Sequence, residues 1–166
     1  MQIRNAQIED LPQLRRIYDV AKAYMDASGN PNQWKAGYPP EEFLRQDIEL
    51  DRLYVCEEDG ALHGVFLFSV MEDPTYHYID GAWLNDEPYG VIHRIASDGA
   101  RKRIFHTVLD FCKEKMKEQC IKNLRIDTHA DNKTMQHLVE KNGFKQCGII
   151  YLENGSPRIA YQLETA

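Results

Sequence analysis

Residues 89–117, YGVIHRIASDGARKRIFHTVLDFCKEKMK, decide how the chain is read. They open as a buried-strand pattern around Val91, Ile92, Ile95 and Ala96 and break at Ser97-Asp98-Gly99. They resume with Ile104, Val108, Leu109, Phe111, Cys112 and Met116 at helical spacing. The spacing predicts strand, tight turn, helix. Between turn and helix stand Arg101, Lys102 and Arg103, where the helix dipole is already positive and basic side chains are unfavourable. An anion would remove that conflict, because first-turn amides without intrahelical partners form a phosphate site. The competing reading is three solvated cations on a surface helix.

Composition bounds what surrounds this stretch. With 166 residues, 43% hydrophobic and 28% charged, the chain is expected to form one domain spanning 1–166, with a sizeable core. A net charge of −6 argues against a general nucleic-acid binder. Cys56, Cys112, Cys120 and Cys147 make no CxxC pair and no metal-spaced cluster, so no metal is expected and reduced core thiols are. No basic start followed by an apolar run and no membrane-length apolar segment appears, which predicts a cytoplasmic protein without a membrane partner.

Outward from the central stretch, residues 1–6 read as a strand and 9–27 as a helix with Leu11, Leu14, Ile17, Tyr18, Ala21 and Met25 on one face. A loop follows in which Trp34 and Tyr38 either line a pocket or cap the core. Pro40 opens a second helix over 41–49. Residues 53–57 and 62–71 read as a hairpin turning at Asp59-Gly60, and 76–84 as a further strand or extended segment completing a meander. Residues 123–128 form a strand with Leu124 and Ile126 inward. A short helix over 134–141 ends at Asn142-Gly143, and 144–152 and 157–163 make two last strands. The order predicts a mixed α/β layer fold. The last strands leave an edge at which a homodimer could pair.

Two segments, IHRIAS with RIFHTVLDFCKEK and HADNKTMQHLVEKNGFKQCG, resemble the GCN5-related N-acetyltransferase (GNAT) superfamily, and the likeness runs over nearly the whole chain. It implies a central, mostly antiparallel sheet of six to seven strands flanked by about four helices, with acetyl-CoA as co-substrate. By the resemblance, Ile95, Ala96 and Ser97 lie along the thioester and pantetheine. The phosphate loop falls on residues 100–105, with Arg101, Lys102, Arg103, Ile104, Phe105 and His106 as cofactor contacts. Every glycine of the family loop is missing there; basic side chains compensate, or the site is altered. Asn132 matches the family asparagine that contacts the cofactor, and it also fits a helix N-cap. The family's tyrosine acid falls on Val139, so Tyr151 or solvent would protonate the leaving thiolate.

Acetyl transfer to an amine needs a base. If strand alternation places Val91, His93, Ile95 and Ser97 on one face, His93 is a candidate, beside the reading of a core histidine bonded to backbone. Glu72 and Asp73 are second, as base or as holder of a cationic acceptor near Trp34 and Tyr38. The expected activity is acetyl transfer to a primary amine of a small molecule or peptide. The alternative is a non-catalytic acyl-CoA or nucleotide-binding module with a degenerate site.

Overall fold

The computed structural model describes residues 1–166. Along the chain run β1 Gln2–Asn5, α1 Leu11–Ala27, α2 Glu41–Glu49, β2 Leu53–Glu58, β3 Ala61–Val70 and β4 Asp80–Gly81. They are followed by β5 Tyr89–Ser97, α3 Ile104–Glu118, β6 Asn123–Thr128, α4 Lys133–Lys141, β7 Lys145–Tyr151 and β8 Pro157–Glu164. The sheet order is β1-β2-β3-β5-β6-β8-β7-β4, with β5 and β6 parallel and β1·β2, β2·β3, β6·β8, β7·β8 and β4·β7 antiparallel. This is the mixed, mostly antiparallel α/β fold expected, with eight strands in place of six or seven. The chain divides into two compact units, Met1–Phe68 with His93–Cys112, and Ser69–Ile92 with Lys113–Ala166.

In the first unit the β2–β3 turn is where the sequence put it, with Asp59 at φ 52 and Gly60 at φ 79, the two left-handed residues of a type I′ hairpin. The apolar face of α1 buries Leu14, Ile17 and Tyr18 completely, as their helical spacing requires. Ahead of it, Asp10 accepts from the Gln7 amide (2.8 Å) and from Arg4 (2.8 Å), and Arg4 also reaches Glu57 (2.9 Å). The Arg4 bond holds the Asp10 carboxyl below its ordinary value. Cys56 is fully buried, and desolvation pushes its thiol up to about 12.

In the second unit the segment expected as the third strand of a meander takes another course. Asp73 caps a 3-10 turn at Pro74–Tyr76, and only Asp80–Gly81 is strand, paired with β7. Alternation fixes which face a residue takes but not which strand it meets. The pairing depends on two glycines crossing closely. Gly81 and Gly148 sit at φ +133 and +149, and a Cβ on Gly148 would lie 2.2 Å from the Asp80 carbonyl oxygen. The outer side of β7 is thus met by the chain's own β4 over Asp80↔Ile149 and Gly81↔Gly148.

Gly148→Ala is expected to cost more than about 2 kcal/mol in urea unfolding, because the collision is with backbone. Gly155→Ala, at φ +85 with open space around it, should cost only about 1 kcal/mol of left-handed strain. Equal losses would mean that β4 is not held against β7.

Candidate active site

The end of β5 is fastened from several sides within the first unit. Asp98 donates its amide to the His63 carbonyl (3.0 Å). Its Oδ2 accepts from His63 Nδ1 (3.0 Å) and Arg16 Nη1 (3.2 Å), and its Oδ1 accepts from the Ala100 amide (2.9 Å). Arg16 also donates to the Leu62 carbonyl (2.8 Å), tying α1 and β3 to the same point. Burial opposes the Asp98 charge, yet the Ala100 amide, His63 and Arg16 outweigh it and hold the carboxyl below its ordinary value.

Beyond Asp98 the loop turns with Gly99 at φ 74 and Arg103 at φ 66. Arg103, which the resemblance sets at a family glycine, adopts the left-handed conformation that glycine readily supplies. Its carbonyl receives the first bond of α3, from the Thr107 amide (3.0 Å), and a second from Thr107 Oγ1 (3.1 Å). The amides of Ile104, Phe105 and His106 therefore lie ahead of the helical ladder. Ile104 and Phe105 bury their side chains, while Arg101, Lys102 and Arg103 are exposed. Arg101 Nε also meets Glu58 (3.2 Å). Free first-turn amides, the positive end of a helix dipole and adjacent cations fit a diphosphate.

Along β5 the assumed alternation fails at Arg94, whose φ of 49 interrupts the extended backbone. His93 and Ile95 therefore cannot be assigned to one face by counting in twos. His93 is half-buried. The Arg94 carbonyl accepts from the fully buried Tyr18 hydroxyl (2.7 Å), and its Nη2 is bonded to Asp47 Oδ2. Asp47, 1% exposed, also accepts from Arg52 Nε (2.9 Å). Desolvation works against the Arg94 charge, but Asp47 and a bond with Tyr38 leave its pKa raised. The ring of Trp34 lies 5.8 Å from Tyr18 and 5.5 Å from Tyr38. Tyr38 in turn lies 6.5 Å from Phe43, over which Arg94 sits at 5.9 Å. Arg15 donates to the carbonyls of Gly37 (2.8 Å), Pro39 (2.8 Å) and Tyr38 (3.0 Å), holding the aromatic loop to α1. His93, Ile95, Ala96, Ser97, the phosphate loop, Trp34 and Tyr38 thus belong to one unit.

The remaining candidates belong to the second unit. Glu72 has a side chain 87% exposed, 3.9 Å from His77. Asp73 is buried; its Oδ1 accepts from the Thr75 amide (2.9 Å) and hydroxyl (2.7 Å), and its amide donates to the Tyr89 hydroxyl (2.9 Å). Its carboxylate therefore already has a capping role. Tyr151 lies exposed against Tyr78, ring centroids 6.3 Å apart. Asn132 caps α4 through the Met135 amide (3.0 Å), and Val139 is fully buried.

Sequence reasoning missed the other face of β6. Tyr76 donates to Asp127 Oδ2 at 2.6 Å, and burial together with the Asp127 charge keeps the phenol protonated well above its ordinary value. Arg125, 4% exposed, lies between the rings of Trp83 (4.1 Å) and Tyr89 (3.9 Å). The inward reading of Leu124 and Ile126 left Arg125 and Asp127 to solvent. The signal for covering them was the aromatic content of residues 76–89, which local periodicity does not use.

The comparisons with known proteins bear on the family and the fold. The acetyltransferase (GNAT) family model matches residues 14–144. A GNAT-family acetyltransferase structure from Streptococcus agalactiae is 30% identical, with a TM-score of 0.84 over 99% of this chain and 95% of that one. A putative acetyltransferase from Staphylococcus aureus is 25% identical, with a TM-score of 0.75 over 99% of each chain. A Thermoplasma acidophilum PaiA N-acetyltransferase, solved in complex with coenzyme A, shares the fold at 17% identity, with a TM-score of 0.71 over 98% of each chain. No curated protein sequence matches the chain. With a family match that takes in β5, α3 and the capped α4, the chain belongs to the acetyltransferase (GNAT) family.

Proposed function

We propose that the chain transfers an acetyl group from acetyl-CoA directly to a primary amine of a small molecule or peptide. The observation that carries the reading is the cradle formed by the amides of Ile104, Phe105 and His106 behind a left-handed Arg103. Acetyl-CoA supplies the activated acyl group. Its diphosphate would rest on those amides and on Arg101, Lys102 and Arg103, with Ile95, Ala96 and Ser97 along the pantetheine. His93 takes a proton from the acceptor ammonium, with Glu72 as second choice. The amine nitrogen then bonds to the acyl carbon as the C–S bond breaks and releases its surplus proton to solvent, and the thiolate takes a proton from solvent or from Tyr151. Asn132 is a cofactor contact in addition to its cap. The buried thiols of Cys56 and Cys112 suit a reducing compartment such as the cytoplasm.

One observation favours a second reading. The position of the family's tyrosine acid is Val139, with no exposure at all, as in a module that binds acyl-CoA without turning it over.

Calorimetric titration with acetyl-CoA should show binding that weakens about tenfold or more in an Arg101→Ala/Arg103→Ala variant, since charge-assisted phosphate bonds are lost. No binding to the wild type would overturn the reading. Asp98→Asn should likewise weaken acetyl-CoA binding by loosening the loop. The lowered pKa of Asp98 has a definite sign. Its contribution is complete above the ordinary carboxylate range and is lost as pH falls through the depressed folded value, so the wild type should lose more stability than Asp98→Asn on acidification below about pH 4. In steady-state assays His93→Ala should lower kcat by about two to four orders of magnitude. Equal rates across pH 6 to 9 would remove His93 from the base role, and binding without turnover of any amine would favour the module.

A further inference from the structure

The strained arginine in β5 has no part in the chemistry so far assigned. A non-glycine residue at positive φ persists only where its surroundings hold it there, and such positions cluster at functional sites. Arg94 is held at its carbonyl by Tyr18 and at its guanidinium by Asp47 and Tyr38. Neutralising Asp47 does not require it, because Arg52 already bonds that carboxylate at 2.9 Å. Two guanidinium groups to one carboxylate leave a surplus positive charge in a chain of net charge −6. Arg94 Nε is buried without a hydrogen-bond partner and is closed to solvent, so an anion would meet the part of the side chain that stays exposed. The side chain keeps 17% exposure, adjoins Tyr38 and Phe43, and follows His93 directly in the chain.

We propose that Arg94 recognises an anionic group on the acceptor, so that the substrate is an amine that also carries a carboxylate, an amino acid in preference to a simple amine or polyamine. The inference rests on the acetyltransferase reading and names its acceptor class. The guanidinium is permanently charged, and its N–H donors beyond the bond to Asp47 can meet a carboxylate, while the rings of Trp34 and Tyr38 offer apolar surface for the remainder of such a molecule. Mere pinning of the strand would make Arg94 indifferent to the charge of the acceptor.

The test is acetyl-CoA-dependent thiol release with each of the twenty common L-amino acids beside its carboxamide, and with phosphoethanolamine beside ethanolamine. Wild type, Arg94→Gln and Arg94→Lys are compared, and acetyl-CoA binding is measured in parallel by calorimetry. At least one amino acid is expected to exceed its carboxamide about tenfold in kcat/KM, mainly through KM. That ratio should fall towards one in Arg94→Gln while acetyl-CoA affinity stays within about twofold. Arg94→Lys, which keeps charge without the planar guanidinium, should retain part of the preference and decides the matter if the Gln variant does not fold. Carboxamides used as well as acids, a ratio unchanged in the variants, a preference for phosphoethanolamine alone, or no amino acid turned over although acetyl-CoA binds would each overturn the proposal. Failure of acetyl-CoA to bind would instead remove the acetyltransferase reading, and this inference with it.

Discussion

The carboxylate of Asp98 receives bonds from α1, from β3 and from the loop that follows it, and the course of the loop into α3 depends on that convergence. Without an acceptor at this point, Arg16 and His63 would each lose a partner, and the chain leaving β5 would have no fixed direction into the turn at Gly99. A polar group this closed to solvent is tolerated only when its bonds are made, so the network constrains the loop as strongly as apolar packing would.

Two buried arginines show different solutions to one electrostatic problem. Arg94 is compensated by a buried aspartate that it shares with Arg52. In the second unit Arg125 is set between the faces of Trp83 and Tyr89 and bonded to the Asn85 carbonyl (2.9 Å) and Gln162 Oε1 (3.3 Å). Desolvation lowers the pKa of Arg125, and the ring faces recover part of that cost by cation–π attraction. The first arrangement leaves net charge at a partly open position, whereas the second spends the cation on holding residues 83–89 to β6.

Much of the architecture was legible in the sequence because its determinants are local. The Asp59-Gly60 turn, the Asn132 cap, the left-handed Gly143 at φ 91 and the helical stripe of α1 all follow from neighbours a few residues apart. The features that escaped depend on distant partners. Nothing within 76–84 announces that Gly81 will meet Gly148, and alternation across 91–97 gives no warning of Arg94, whose conformation is imposed by Tyr18 and Asp47. The Tyr76–Asp127 bond joins residues 51 positions apart. The missing family glycines left compensation and alteration both open, and the left-handed backbone of Arg103 is not something its side chain announces.

That substitution also changes the conformational entropy of the loop. A glycine-rich segment samples many backbone states when unfolded and loses more freedom on ordering than any other sequence. Residues 100–107 contain no glycine, so their unfolded ensemble is narrower, and part of the left-handed strain at Arg103 is offset by the smaller entropy lost on folding. A ligand arriving at such a loop meets amides already arranged, and its affinity is reduced less by the cost of ordering its site than it would be at a flexible glycine loop.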